Sequence, residues 1–348
     1  MNFYNKQHQF YCGIDLHARK MFVCILDQNG EILVHKNIYA KPEPFLKCIE
    51  PYKEHIAVAV ECIFTWYWIA DLCTEKTIPF ILGHALYMKA IHGGKTKNDK
   101  IDSHKIAVLL KGGMLPMAYV YPSEMRSTRD LLRRRNFFTR KRAELLAHIQ
   151  NTNMQYNFPS FEKRIDRKSN RGEIENRFPD VSVQKTIDAD LSMLDSYDKT
   201  IRDLELHITR NAKIHDVNTY YRLRSVPGIG EILGLLLLYE IHDINRFPTV
   251  QNFVSYSRLI RPIKESGGKK YGSSNKKIGN HHLKWAFSEA ACIFKRDAKK
   301  AKKYILYLEN RHGKARSLSI LTHKLGRTVY YMLKHEKAFN MDKFLKGQ

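Results

Sequence analysis

The order of apolar and polar positions divides the chain into two regimes. Over the first 120 residues the apolar positions come in short blocks separated by turn residues. Gln9 to Asp15 and Lys20 to Asp27 predict two strands, and the turn Asp27-Gln28-Asn29-Gly30 leads to a third over Glu31 to Lys36. Asn-Gly between apolar runs is a hairpin signal. Ile56 to Cys62 is an apolar run of buried-strand type, followed by a predicted helix over Thr65 to Lys76 and a fifth strand at Ile78 to Leu82. A lysine-rich loop from Gly93 then opens into a helix from Asp99 to Leu110. These elements predict an α/β domain over 1–122.

From Ser123 the spacing becomes helical. Leu131, Leu132, Phe138, Leu145, Leu146 and Ile149 mark one long amphipathic stretch, and Leu191, Leu194, Ile201, Leu204 and Ile208 mark a second. The polar segment Asn157 to Pro179 separates them, so the pattern predicts a helical hairpin or coiled coil over 123–213. The remainder, 214–348, reads as mainly helical, with one interruption rich in Gly, Ser and Lys between Pro262 and Gly279.

Charge changes the picture most. The 348 residues carry 59 Lys or Arg against 35 Asp or Glu, a net charge of +24, which predicts a polyanionic partner, nucleic acid before an anionic membrane. A hydrophobic content of 43% excludes wholesale disorder. No stretch approaches the roughly 18–20 apolar residues of a spanning helix, and Met1 to Phe10 lacks the apolar core of a signal peptide. The six cysteines form no C-x-x-C pair, a pattern of reduced thiols rather than a disulfide framework or zinc site. The expectation is a soluble, cytoplasmic, nucleic-acid-facing protein.

Three groups of residues offer chemistry. Asp15 ends the first predicted strand, Glu61 ends the fourth, and Asp99 and Asp102 share one face at the start of a helix. Carboxylates gathered at strand ends bind hard divalent cations, and Mg²⁺ suits oxygen donors together with phosphate. Taken singly, each is also an ordinary turn or capping residue. The second group is Val226-Pro-Gly-Ile-Gly230 between apolar helices, the pattern of a helix-hairpin-helix, in which Gly228 and Gly230 would present amide N–H groups to a phosphate. A plain turn between helices has the same pattern. The third is the loop between Arg258 and Lys284, with eight Lys or Arg and the single acid Glu265. Lys269, Lys270, Lys276 and Lys277 there, and Arg133, Arg134 and Arg135 in the dense cluster of the first long helix, are expected to meet phosphate. His281 and His282 have no third ligand spaced near them and are expected to be surface or helix-cap residues.

Three strands in a meander followed by alternating helix and strand is the element order of a ribonuclease-H-like, RuvC-like domain. Several motifs extend the resemblance to nearly the whole chain. They are Gly13-Ile14-Asp15, Val60-Glu61, the segment Lys95 to Asp102, Val226 to Gly230, Asp243 to Phe247, Ser266-Gly267-Gly268 and Lys277 to Asn280. In this order they resemble the DEDD transposases of the insertion-sequence family that includes the Piv DNA invertases and the bridge-RNA-guided recombinases. The chain departs from that pattern at Ser103, where alanine is common, and at Glu265, where a second serine is frequent. The resemblance implies a RuvC-like domain, a coiled-coil insertion and a mainly α C-terminal transposase domain. It also implies a Mg²⁺ site at Asp15, Glu61, Asp99 and Asp102, and a serine, Ser266, that attacks DNA through a phosphoserine intermediate. Its implied partners are DNA, a bridge RNA, and further copies of the chain in a dimer or tetramer, with Leu131–Ile149 and Leu191–Ile208 as the expected contacts.

The leading expectation is therefore a transposase or recombinase of a mobile insertion sequence. An invertase without a guide RNA, a RuvC-like structure-specific nuclease and a non-catalytic nucleic-acid-binding protein stand beside it. Ser266 separates these classes: a nuclease needs only the carboxylates, a binding module needs neither, and the recombinase needs both.

Overall fold

A computed structural model describes residues 2–91, 98–212, 215–261, 263–273 and 278–346, and the chain divides into two compact units, Met1–Glu124 and Met125–Gln348. In the first unit β1 (Phe3–Tyr4) precedes three longer strands, β2 (Phe10–Leu16), β3 (Lys20–Leu26) and β4 (Ile32–Tyr39). Then come α1 (Pro42–Ile49), β5 (Ile56–Glu61), α2 (Tyr67–Glu75), β6 (Phe80–Gly83), α3 (Ala85–Ile91), α4 (Asp99–Lys111) and β7 (Leu115–Pro116). The expected strands and helices are all present, with boundaries shifted by no more than three residues.

Five strands form one sheet in the order β4-β3-β2-β5-β6. The meander β2–β3–β4 is antiparallel, while β2, β5 and β6 run parallel. Successive side chains of a strand face opposite sides of the sheet, and the sequence uses both. Cys12, Ile14 and Leu16 of β2 pack with Val58 and Val60 of β5 against Phe45 and Ile49 of α1 and Ile69 and Cys73 of α2. Tyr11 of β2 and Ala57 and Ala59 of β5 meet Ile106, Leu109 and Leu110 of α4 on the other face. Gly13 lies on that second face. A Cβ there would overlap backbone atoms of Ser103 and Ala107, so only glycine lets α4 lie flush on β2.

The second unit begins with two long helices, α5 (Ser123–Gln155) and α6 (Val181–Asn211), joined by a segment with two short 3₁₀ turns. Ile187, Leu194, Ile201 and Ile208 are the buried residues of α6. Their seven-residue spacing makes a coiled-coil-like seam. Ile149 of α5 and Ile165, Ile174 and Phe178 of the connecting segment cover Ile187 and Leu194, and Ile208 joins the cluster that holds Leu132. Ion pairs Arg135–Glu205 and Arg142–Asp198 and a hydrogen bond between His148 and Asp190 flank the seam. Much of the apolar surface expected at a contact between copies is thus consumed within the chain.

The hairpin belongs to the same compact unit as the helices that follow. These are α7 (Val217–Arg224), α8 (Glu231–Ile241) and α9 (Val250–Tyr256), the hairpin strands β8 (Ile263–Ser266) and β9 (Lys269–Ser273), and α10 (His281–Asp297), α11 (Lys302–His312), α12 (Lys314–Lys334) and α13 (Met341–Lys346). α8 is buried along nearly its whole length, from Leu233 to Ile241, and forms the centre of the core shared with α10 and α12. All six cysteines are free thiols, four of them buried. Among the described residues no helix is long and apolar enough to cross a membrane.

Candidate functional site

Positions two apart on a strand share a face, so Gly13, Asp15 and His17 follow one another on the α4 side of the sheet. The pairing of Ile14 with Val60 puts Glu61 beside Asp15 at the carboxyl ends of parallel neighbours. Its parity with Ala57 and Ala59 puts it on the same side. Above this edge α4 begins. Asn98 caps it, its side chain accepting from the Lys100 N–H at 2.9 Å. Asp99 is therefore not spent as the cap. Asp99 and Asp102 occupy the first turn, where the helix dipole favours negative charge.

Asp15, His17 and Asp99 converge: one potential ligand atom from each lies within 4.8 Å of the others. His17 Nε2 is 3.4 Å from Asp15 Oδ2 and 3.6 Å from Asp99 Oδ2. Asp15 is buried, whereas His17 and Asp99 are exposed. Burial pushes the Asp15 carboxyl above its ordinary range; His17 works against that rise, while the charges of Asp99 and Asp102 add to it. Negative charge gathered at this edge suits a hard cation, and two carboxylates with one imidazole are a chemically competent donor set. Glu61 and Asp102 stand outside the 4.8 Å group; Glu61 is half-buried on the adjoining strand, and Asp102 is 3.5 Å from Lys105 Nζ. Of the four acids singled out from the sequence, the structure thus gathers two closely and sets two on the same edge. His17 was missed, although its signal was legible as the position two beyond Asp15 at a strand end.

The expected phosphate contacts fare differently. Arg133 donates to Glu240 Oε1 at 2.5 Å and Oε2 at 3.0 Å, and Arg135 is bound to Glu205. Both departures from the expected role have the same cause, since buried or half-buried guanidinium groups require carboxylate partners. Arg134 is exposed, stacked over Phe137 and Phe138. Gly228 adopts φ +91°, and a Cβ there would lie 2.5 Å from the Ala290 carbonyl oxygen, so this glycine packs a turn against α10. Gly230 is exposed at the start of α8, with open space around it. Ser266 ends β8, exposed beside the positive-φ turn Gly267-Gly268, and Lys269 is exposed across that turn. Lys270 belongs to β9 by its backbone alone, while Lys276 and Lys277, like Lys95 to Lys97, lie outside the described residues.

The sequence did not show how the base of the Ser266 segment is tied down. Arg258 Nε donates to the carbonyls of Ile278 and Gly279, both at 2.9 Å. Asn280 caps α10 through its Oδ1 and donates from Nδ2 to Glu240 Oε2 at 2.7 Å. Glu240 is fully buried and also receives Arg129. Burial pushes its pKa up, but the hydrogen bond and charge of Arg133, the charge of Arg129 and the Asn280 bond outweigh this and hold it at about 2. His282 is buried rather than at the surface; burial first, and then Arg133, depress its pKa to about 3. A cavity of about 420 Å³ in the helical hairpin is lined by Arg135, Arg142 and Asp198 among others, charges already paired with acids or bases of the hairpin.

Two family models match the chain. A DEDD transposase model covers residues 12–158, and a model described as the transposase IS116/IS110/IS902 family covers 220–306. Over 336 residues the chain is 20% identical to a transposase for insertion sequence element IS1111A from Coxiella burnetii, spanning 94% of this chain and 90% of that one. A 94-residue stretch is 33% identical to an insertion element IS110 protein of 43.6 kDa from Streptomyces coelicolor, spanning 26% of this chain and 23% of that protein.

Proposed function

We propose that this chain, which matches family models of a DEDD transposase over 12–158 and of the IS116/IS110/IS902 transposases over 220–306, moves its own element by cutting and rejoining DNA, with the cutting chemistry at Asp15, Glu61, Asp99 and Asp102. The convergence of Asp15, His17 and Asp99 above one sheet edge carries this reading. Oxygen donors in this number fit Mg²⁺, which when bound would neutralise the carboxylates and polarise a scissile phosphate. The chain's own residues hold that geometry: Gly13 seats α4, Asn98 fixes its first turn, and β2 and β5 bring Asp15 and Glu61 side by side.

The sheet order supports a RuvC-like assignment for 1–122, and α7, the Pro227–Gly230 turn and α8 support a helix-hairpin-helix. Asp15→Asn and Asp99→Asn should abolish Mg²⁺-dependent nicking of a plasmid bearing the element ends, with circular dichroism unchanged. Full nicking by either variant overturns the site.

The convergence of Asp15 and Asp99 assigns the cutting first to the carboxylates. Ser266 enters as a second reading, favoured by its exposed position beside two glycines. Its Oγ would attack phosphorus as the bond to the leaving sugar oxygen breaks, the hydroxyl proton passing to solvent or the leaving oxygen. A trapped protein–DNA adduct lost in Ser266→Ala supports this step; nicking without an adduct assigns the reaction to water. A bridge RNA and a dimer or tetramer complete the proposal, supported by the net charge of +24 and by the need for four strand cuts. Sequencing co-purified RNA and weighing the DNA complex test them.

A further inference from the structure

The motifs leave unexplained a dense run of positive charge late in the second unit, which extends past the matched segment 220–306. Between 299 and 316 there are seven Lys or Arg and one acid, Glu309. Lys299, Lys300, Lys302, Lys303, Lys314 and Arg316 are all exposed. The acids nearest in sequence are occupied, Glu309 by Lys295 and Asp297 by Arg296. The buried side of α11, formed by Tyr304, Ile305 and Leu308, fixes which side faces outward. Lys303, Tyr307 and Arg311 follow one another on that outer face at helical spacing, and Arg311 donates to the Tyr307 hydroxyl at 2.6 Å.

We propose that α11 and its two flanking corners form a binding surface for the phosphate backbone of duplex DNA, made of residues other than those of the carboxylate site and the Ser266 hairpin. So many cations side by side, none paired with an acid among the described residues, repel one another in the free protein. A polyanion removes that repulsion and releases its condensed counterions on binding. The spacing favours a duplex over an isolated phosphate. The eleven residues of α11 rise about 16 Å, so Lys302 and Lys303 at its start and Lys314 and Arg316 past its end stand farther apart than the ~12 Å width of a B-form major groove. Two cation pairs with that separation can hold phosphates on both strands, with the Tyr307–Arg311 pair between them. The deep, narrow major groove of an A-form duplex offers a different separation, so duplex DNA is the favoured partner.

The proposal rests on the transposase reading for its partner but not for its test. Full-length protein is titrated with a 30-base-pair DNA duplex unrelated to the element, by fluorescence anisotropy across a salt series. Replacing Lys302, Lys303, Lys314 and Arg316 by alanine should flatten the slope of log affinity against log salt by about 3 to 4, at ~0.9 per lost phosphate contact. A charge-matched control in the first unit, with alanine at Lys41, Lys47, Lys53 and Lys76, should leave the slope within one unit of the parent. An unchanged slope, or an equal fall in the control, overturns the surface. A fall seen with duplex RNA but not with DNA, or binding to phosphatidylserine vesicles through these lysines with DNA affinity intact, overturns the assigned partner. Nicking at low salt, with protein in excess, scores the carboxylate reading independently. The first-unit control variant should nick like the parent there. A parent that binds through these residues but never nicks would leave the surface standing while the transposase chemistry fell.

Discussion

Replacing Glu240 by glutamine tests how the second unit is held together. Glu240 has no solvent exposure and is the common partner of Arg129, Arg133 and Asn280. The substitution keeps its shape and removes its charge, leaving the guanidinium of Arg129, itself buried, without a counter-charge. Removing one partner of a buried ion pair costs about 3–5 kcal/mol. The same magnitude follows from titration, since a carboxyl held at about 2 rather than 4.5 represents on the order of 3 kcal/mol at about 1.4 kcal/mol per unit. Trp285 is the one tryptophan of the second unit and packs against its core. In a Trp66→Phe, Trp68→Phe background its fluorescence follows unfolding of that unit in urea. With a slope of about 3 kcal/mol per molar, the midpoint should fall by roughly 1–2 M. The pH dependence has a definite sign. A depressed carboxyl stabilises the fold fully above its unfolded value of 4.5, and that contribution is lost as pH falls toward 2. Parent protein should therefore lose stability across that interval more steeply than Glu240→Gln. A midpoint within 0.2 M of the parent (about 0.6 kcal/mol at that slope), with parallel acid curves, would refute the account.

Three further outcomes follow from the same geometry. Gly13→Ala should destabilise the first unit by about 1–3 kcal/mol, since overpacking there must lift α4 from β2; Trp66 and Trp68 fluorescence in urea reports it, and nicking should fall with it. Arg134→Ala should flatten the salt slope of DNA binding by about 0.9, whereas Arg135→Ala should leave the slope unchanged while lowering stability through loss of the Glu205 pair. His17→Ala should weaken Mn²⁺ binding, followed by electron paramagnetic resonance, without unfolding the first unit; unchanged Mn²⁺ affinity would make His17 only a neighbour of Asp15 and Asp99.

The first unit was legible because a sheet buried on both faces leaves little freedom in its sequence. β2 alternates large residues toward α1 and α2 with a glycine toward α4, and β5 alternates valines with alanines. Strand order and the edge at which acids gather both follow from that alternation. What stayed hidden was the ligand contributed by the alternation itself. Extending the face of Gly13 and Asp15 by one more step reaches His17, a residue whose meaning appears only when Asp99 is brought opposite it. The distances of Glu61 and Asp102 from that pair depend on how α4 tilts over the sheet, a property of packing that no motif spacing records.

Charge was legible as a quantity and illegible as a set of partners. The Arg133–Arg135 cluster and the Lys299–Lys303 cluster look alike in sequence, each dense and each within a helical region. Folding separates them by the acids it delivers. Glu240 and Glu205 lie 107 and 70 residues from the arginines they neutralise, so a local count of acids overstates the free charge at 133–135. Among the described residues no acid so distant pairs with a cation of α11, where the one local acid, Glu309, is paired with Lys295. A cationic run is therefore better judged by the element it faces than by its density. By that criterion the exposed start of α11 has the stronger claim on phosphate, and Arg133, the most deeply engaged of the first cluster, the weakest. Neutralising each in turn and comparing salt slopes orders them directly: the reverse order would mean that the buried pairs open when DNA binds.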